Sequence, residues 1–80
     1  MDDVEILHRI TALVDEEHRL ESAGVGHGPD SEEQARLQSL EVALDQCWDL
    51  LRQRRARRHA DQDPDEAQVR EATTVERYLQ

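Results

Sequence analysis

The strongest constraint on the fold of this chain is where its helix breakers lie. All three glycines, Gly24, Gly26 and Gly28, occur together and are followed directly by Pro29. The residues before this group contain neither Gly nor Pro, and the same holds for residues 31–59 after it. Glycine and proline favour turns and interrupt helices. The sequence therefore predicts two long helices that are joined by one turn.

Capping residues indicate where each of these helices begins. Asp2 and Glu5 have the spacing of a capping box, and Asp30 offers a second N-cap directly after the turn. We therefore expect a first helix over residues 3–23 and a second over residues 31–59. Because a short loop makes consecutive helices antiparallel neighbours, the two are expected to form a helical hairpin over the first 59 residues.

Apolar residues recur at helical spacing and define one face of each helix. At roughly 100° per residue, the apolar face of the first helix covers an arc of about 140°. Its members are Ile6, Leu7, Ile10, Leu13, Val14 and Leu20. The face of the second helix covers about 160°, which is more than one neighbouring helix needs. Its members are Leu37, Leu40, Ala43, Leu44, Cys47, Trp48, Leu50 and Leu51. The second helix therefore calls for a second helical partner.

Part of this face has the spacing of a helix-pairing seam. Leu40, Leu44, Cys47 and Leu51 follow 4-3-4 steps, which suit knobs-into-holes packing, and with Trp48 they form the predicted interaction interface. A chain of 80 residues with 36% hydrophobic residues and one cysteine has a small core and no intramolecular disulfide. We therefore predict an all-α hairpin that dimerises into a four-helix arrangement, or that pairs with another protein.

Residues 60–80 read as an acidic tail. Asp63 followed by Pro64 can cap and open a short helix, and Thr73 with Glu76 has a further capping-box spacing. The apolar anchors of this segment are sparse. They are Val69, Val75, Tyr78 and Leu79. The pattern leaves open whether the tail docks on the hairpin, is exchanged between two copies or stays mobile.

A basic cluster ends the second helix. Its members are Arg52, Arg54, Arg55, Arg57 and Arg58. Such a cluster could bind nucleic acid or a phosphate group. However, cations at a helix C-terminus also complement the helix dipole, and acids of the first helix and of the tail are expected nearby. With a net charge of −9 and no aromatic residues between the arginines, nucleic-acid binding remains the alternative rather than the main hypothesis.

Glu17 is the most unusual polar residue, because it lies within the apolar arc of the first helix. A buried carboxylate needs a partner, and Arg36 is the candidate at the predicted helix crossing. The alternative is a metal site that uses Glu17 with His8 or His18, which each follow an acid by three residues. With 19 acids in the chain, such spacings arise readily by chance, so we expect no bound metal and no cofactor.

Other features exclude further classes of protein. The sequence contains no CxxC pair and no Ser/His/Asp or Cys/His arrangement, so we do not expect an enzyme. The N-terminus is acidic where a signal peptide would be basic, and no apolar run approaches the roughly 20 residues that span a membrane. We expect a cytoplasmic protein that does not associate with membranes.

The core of the second helix resembles a known family. Residues 44–58 read Leu-Asp-Gln-Cys-Trp-Asp-Leu-Leu-Arg-Gln-Arg-Arg-Ala-Arg-Arg, and with the opening Met-Asp-Asp and the tail segment Asp-Pro-Asp-Glu-Ala they resemble an actinobacterial family catalogued as domain of unknown function 2630. The resemblance covers most of the chain. It implies a cytoplasmic bacterial origin and gives the tail more weight than a disordered extension would have, and it implies no activity, cofactor or partner.

Overall fold

The computed structural model describes residues 1–23, 28 and 30–79, of which 23 and 77–79 are described as backbone only. The described residues form three α-helices and one 3₁₀ turn, without strands. The elements are α1 (Asp3–Ala23), α2 (Ser31–His59), the 3₁₀ turn Pro64–Glu66 and α3 (Ala72–Leu79). The predicted turn residues Gly24, Gly26 and Pro29, and the side chains of Tyr78 and Leu79, lie outside the described part. The all-helical fold class and the hairpin are confirmed.

Local hydrogen bonds explain where α1 and α2 begin. The Glu5 backbone N–H donates to the Asp2 side chain, with 2.8 Å between the nitrogen and Oδ1. The Glu33 backbone N–H makes the same contact with Asp30, also at 2.8 Å. Each carboxylate satisfies a donor that has no partner within its helix and places negative charge at the positive helix end.

The end of α2 reverses the chain through a Schellman motif. Asp61 has a positive φ of 57°, a conformation that Asp tolerates better than most residues. The Gln62 N–H donates to the Arg57 carbonyl at 2.7 Å, and the Asp61 N–H donates to the Arg58 carbonyl at 3.2 Å. Pro64 then opens the 3₁₀ turn, in which the Asp63 side chain accepts from the Asp65 N–H. The tail is thereby directed back along α2.

The core lies between the antiparallel helices α1 and α2. Ile6, Ile10 and Leu50 form its centre. Val14, Leu44, Cys47, Leu51 and Ala67 pack against this centre and are partly buried. Leu13 and Leu40 are also buried, nearer to the turn of the hairpin. The apolar faces of both helices therefore meet within one chain, and Ala67 shows that the tail contributes to the same core.

The tail covers a second side of α2. The Gln53 side-chain amide donates to the Gln68 carbonyl at 2.8 Å, and the Gln46 amide donates to the Arg70 carbonyl at 3.1 Å. Val75 of α3 is only 1% exposed. The breadth of the apolar face of α2 predicted a second helical neighbour from another copy or from another protein, whereas the structure shows that α3 of the same chain also packs on α2.

Candidate interaction surface

Asp49 is a fully buried carboxylate on α2, and sequence reasoning did not single it out. It accepts hydrogen bonds from the Arg70 guanidinium, whose Nε lies 2.8 Å from Oδ2, and from the Gln53 amide at 3.0 Å. The hydrogen bonds from Arg70 lower the pKa of Asp49 despite the opposing effect of burial. The available signal was an acid between Trp48 and Leu50 in an otherwise apolar run. Asp49 holds the tail on α2.

Arg54 is the buried member of the basic cluster. Its Nε lies 2.5 Å from Asp3 Oδ1, and its Nη1 lies 3.0 Å from Asp65 Oδ1 and 3.1 Å from the Pro64 carbonyl. The hydrogen bonds to the carboxylates of Asp3 and then Asp65 raise the pKa of Arg54. The guanidinium therefore joins the start of α1, the end of α2 and the tail.

The other arginines of the cluster also have nearby acids, with one exception. Arg58 bonds Asp3 Oδ2 at 2.7 Å, and Arg57 approaches Glu66 Oε2 at 3.4 Å. Arg52 lies 3.7 Å from Asp49. Among the described residues, no carboxylate lies within ion-pair distance of Arg55.

These ion pairs reduce the positive potential that a phosphate group would meet at the cluster. Two of the arginines share Asp3, and the hydrogen bonds from Arg58 and then Arg54 lower the pKa of this carboxylate. Asp3 is therefore charged at neutral pH. Acids from both α1 and the tail therefore pair with most of the cluster.

The predicted pairing of Glu17 with Arg36 differs from the observed one. Arg36 is exposed and donates instead to Glu16, with Nη2 2.6 Å from Oε2 and Nε 3.1 Å from Oε1. These hydrogen bonds lower the pKa of Glu16. Glu17 is half-buried rather than enclosed. A pair at the edge of the hairpin keeps both charges partly hydrated, which costs less than moving them into the core.

The five residues of the predicted interface divide into two groups. Leu40 is 1% exposed, and Leu44, Cys47 and Leu51 pack against the centre of the core, so the chain itself already covers most of this seam. Burial raises the pKa of the Cys47 thiol. Trp48, by contrast, is 47% exposed, although its position predicts packing. The reason is geometric: α1 and the tail cover other sides of α2, and Trp48 lies at the edge of its apolar arc.

Trp48 lines an open groove between α1 and α2. The groove has a volume of about 360 Å³. It is lined by Asp3, Leu7, Trp48, Leu51, Arg52, Arg55 and Arg58. Leu7 was predicted to belong to the buried face of α1, yet it is 46% exposed here. The groove thus combines an apolar floor with a mainly basic rim, which suits the binding of a protein segment.

The described residues give no support to a metal centre or a membrane span. No three His, Cys, Asp or Glu side chains in this part of the chain gather in a way that could hold a metal ion, and both His8 and His18 are exposed. No described helix has an apolar stretch of the length and character needed to cross a bilayer.

Known proteins with similar sequences share nearly the whole chain. Residues 2–80 match the family described as "Protein of unknown function (DUF2630)". A protein of Mycobacterium tuberculosis and one of Mycobacterium bovis, both named uncharacterized, are each 54% identical to this chain over 78 residues. These matches cover 95% of this chain and 88% of each relative. No solved structure matches.

Proposed function

The chain belongs to this family of proteins of unknown function, and from the surface that its fold leaves open we propose that it is a protein-interaction module that self-associates through α2. The observation that carries the proposal is the exposure of Trp48. It lies in a groove beside Leu7, and both side chains are nearly half-exposed. Tryptophan is among the residues that contribute most to binding energy at protein interfaces.

The fold restricts where association can occur. Leu40, Leu50 and Val75 are at most 4% exposed, so the covered sides of α2 offer little apolar surface to a partner. Trp48 and Leu7 offer apolar surface on the uncovered side. Pairing of two hairpins through this side would give the four-helix arrangement of their α1 and α2 helices, with each α3 on the outside.

The apolar surface in the groove is large enough to matter for affinity. Nearly half of the surface of Trp48 is exposed, which amounts to roughly 100 Å² for an indole side chain. At about 25 cal/mol per Å², burying it contributes about 2.5 kcal/mol from each copy. Since two copies contribute in a symmetric dimer, removing the indole is expected to raise the dissociation constant at least about 100-fold.

Sedimentation velocity tests this proposal directly. The natural protein is expected to pass from monomer to dimer between micromolar and millimolar concentration, and the Trp48→Ala variant is expected to remain monomeric over most of that range. Val69→Ala is the matched control, because Val69 is 59% exposed but lies on the tail, outside the groove. This control is expected to dimerise like the natural protein.

Two results would contradict the proposal. A natural protein that stays monomeric at millimolar concentration does not self-associate. A dimer that survives Trp48→Ala unchanged uses another surface. Far-UV circular dichroism of each variant shows whether the helices persist, so that a loss of association is not confused with unfolding.

A further inference from the structure

A row of side chains runs along α2 on the side where Trp48 is exposed. Steps of four and three residues keep its members on one side of the helix. The members are Glu41, Asp45, Trp48, Arg52 and Arg55, which we call the Trp48 row. Asp45 is half-buried, and the other four are exposed. The row therefore forms a continuous surface strip with the indole at its middle.

The neighbours of α2 leave this strip open. On one side, Ile6 and Ile10 of α1 form the core with Leu50, and Leu44 and Leu51 of α2 pack against it. On another, the tail is held by Asp49 and Gln53. The Trp48 row lies between these two covered sides, and four of its five members are exposed, so the described elements leave most of it open.

The charges of the Trp48 row change sign at its middle. Two acids precede Trp48 and two arginines follow it, so the row is neutral on a chain with a net charge of −9. Glu41 and Arg55 are each seven residues from Trp48. At 1.5 Å per residue, they lie about 10 Å from it in opposite directions. A strip with this order of charges is complementary to itself when it is reversed.

We infer that the Trp48 row binds a second copy of this chain in antiparallel orientation, about a twofold axis at Trp48. Glu41 of each copy then faces Arg55 of the other, Asp45 lies near Arg52, and the two indoles meet at the centre. This inference rests on the proposed function and adds to it the face, the orientation and the pairing. A twofold axis makes the two ends of the contact equivalent, so each ion pair forms twice.

The order of charges along the Trp48 row disfavours a parallel dimer and uniformly charged partners. A parallel pair of α2 helices would place Glu41 opposite Glu41 and Arg55 opposite Arg55, and like charges at such positions are destabilising. A uniformly acidic partner would satisfy the arginines but be repelled by Glu41 and Asp45, and a basic partner would have the reverse problem. A second copy in the reversed direction satisfies both halves of the row.

The two arginines of the row are available for these contacts. Arg55 has no carboxylate within ion-pair distance among the described residues, and the contact of Arg52 with Asp49 is long at 3.7 Å. Asp49 keeps its shorter hydrogen bonds to Arg70 and Gln53 if Arg52 turns away. The row can therefore bind without dismantling the contacts that hold the tail.

Reversing the charge of Glu41 or of Arg55, which form the outer pair between the two copies, tests the antiparallel orientation. Glu41→Arg alone places an introduced arginine opposite Arg55 at both ends of the antiparallel dimer, and Arg55→Glu alone places an introduced acid opposite Glu41. Each variant is expected to dimerise at least about tenfold more weakly than the natural protein, because two favourable contacts become two repulsive ones. Sedimentation velocity measures these dissociation constants.

Combining the two charge changes, either in a mixture of the single variants or in one chain, is expected to restore dimerisation. An equimolar mixture of the Glu41→Arg and Arg55→Glu proteins should form a 1:1 heterodimer, which native mass spectrometry separates from both homodimers by mass. The variant that carries both changes should dimerise like the natural protein. Trp48 is the only tryptophan, so a blue shift of its emission with concentration reports burial of the indole itself.

Two controls repeat the same charge changes away from the row. Glu21→Arg and Arg19→Glu alter exposed positions on α1 and are expected to leave dimerisation within about twofold of the natural protein. Circular dichroism confirms that each variant is helical. If these controls weaken association as strongly as the row variants, net charge rather than the row is responsible and the inference is wrong.

The remaining outcomes separate this inference from the proposed function. If the natural protein is monomeric, both fail. Self-association is supported but the antiparallel arrangement of the Trp48 row is wrong in two cases. In the first, the natural protein dimerises and the single variants dimerise as tightly as it does. In the second, neither the mixture nor the double variant regains dimerisation. If Glu41→Arg instead pairs preferentially with the natural protein, the helices are parallel and the orientation is refuted. Heterodimer formation together with recovery in the double variant supports the inference.

Discussion

Replacing Asp49 with alanine tests whether a single buried carboxylate holds the tail against the hairpin. In the native fold this side chain has no solvent exposure, and it accepts hydrogen bonds from Arg70 and Gln53. Arg70 belongs to the tail, and Gln53 of α2 also donates to the backbone of the tail. The substitution should therefore loosen the tail while leaving the packing between α1 and α2 largely intact.

The expected loss in the free energy of unfolding follows from the exposure of Asp49 and Arg70, the two members of the ion pair. Removing one member of a fully buried ion pair costs about 3–5 kcal/mol, because the other charge is left without a partner. The Arg70 side chain is 36% exposed and can be hydrated after the change, so the lower figure for a charged hydrogen bond, about 1.5–3 kcal/mol, applies. We expect a loss of about 2 kcal/mol in the free energy of unfolding.

Urea unfolding followed by circular dichroism measures this loss, and hydrogen exchange by mass spectrometry locates it. The backbone amides of residues 67–76 are expected to lose more protection than those of α1. Asp15→Ala, an exposed change from acid to alanine on α1, is the control and should alter stability by less than about 0.5 kcal/mol. An effect of Asp49→Ala no larger than that of the control, or unchanged protection in the tail, would refute the reasoning.

Two further predictions concern the core and the acid response. Ile6 is fully buried, so Ile6→Ala should lower the free energy of unfolding, measured in urea, by about 3–4 kcal/mol. The control Val4→Ala, at a 59% exposed position of the same helix, should lower it by less than about 1 kcal/mol. Equal losses in the two variants would contradict the assigned core. Because the hydrogen bond from Arg70 lowers the pKa of Asp49 from its ordinary value, this pair stabilises the fold at neutral pH. Its contribution should be lost as the pH falls below the ordinary pKa of an aspartate and through the lowered one. The free energy of unfolding should fall less steeply with decreasing pH for Asp49→Asn than for the natural protein. Identical slopes for the two proteins would exclude the pair as a cause of the acid response.

The helices of this chain could be predicted because their signals are local. Asp2 and Asp30 accept from backbone N–H groups three residues ahead, a contact that needs nothing beyond one turn of chain. The same holds for Asp63 at the 3₁₀ turn, where the bond spans two residues. Apolar periodicity likewise placed Ile6 and Leu50 correctly on buried faces, because the period of a helix fixes which side chains share a side.

The candidate site could be predicted only in part. Trp48 belonged to the predicted interface, and its exposure makes it the centre of the proposed one. Leu40 belonged to the same prediction but is buried within the chain. The arginine cluster was expected to meet acids from α1 and the tail, and Arg54 does contact both Asp3 and Asp65. Which acid pairs with which arginine depends on distances between elements, which a sequence pattern does not contain.

The sequence by itself determined where the helices lie and that α2 needs more than one neighbour, because hydrogen bonding within a turn and the 3.6-residue period are properties of the local chain. Only the tertiary structure decided which side of α2 the tail covers. That choice buries Asp49 against Arg70 and leaves its sequence neighbour Trp48 exposed. Adjacent residues on a helix point about 100° apart, so the position of a second element determines which of the two meets water.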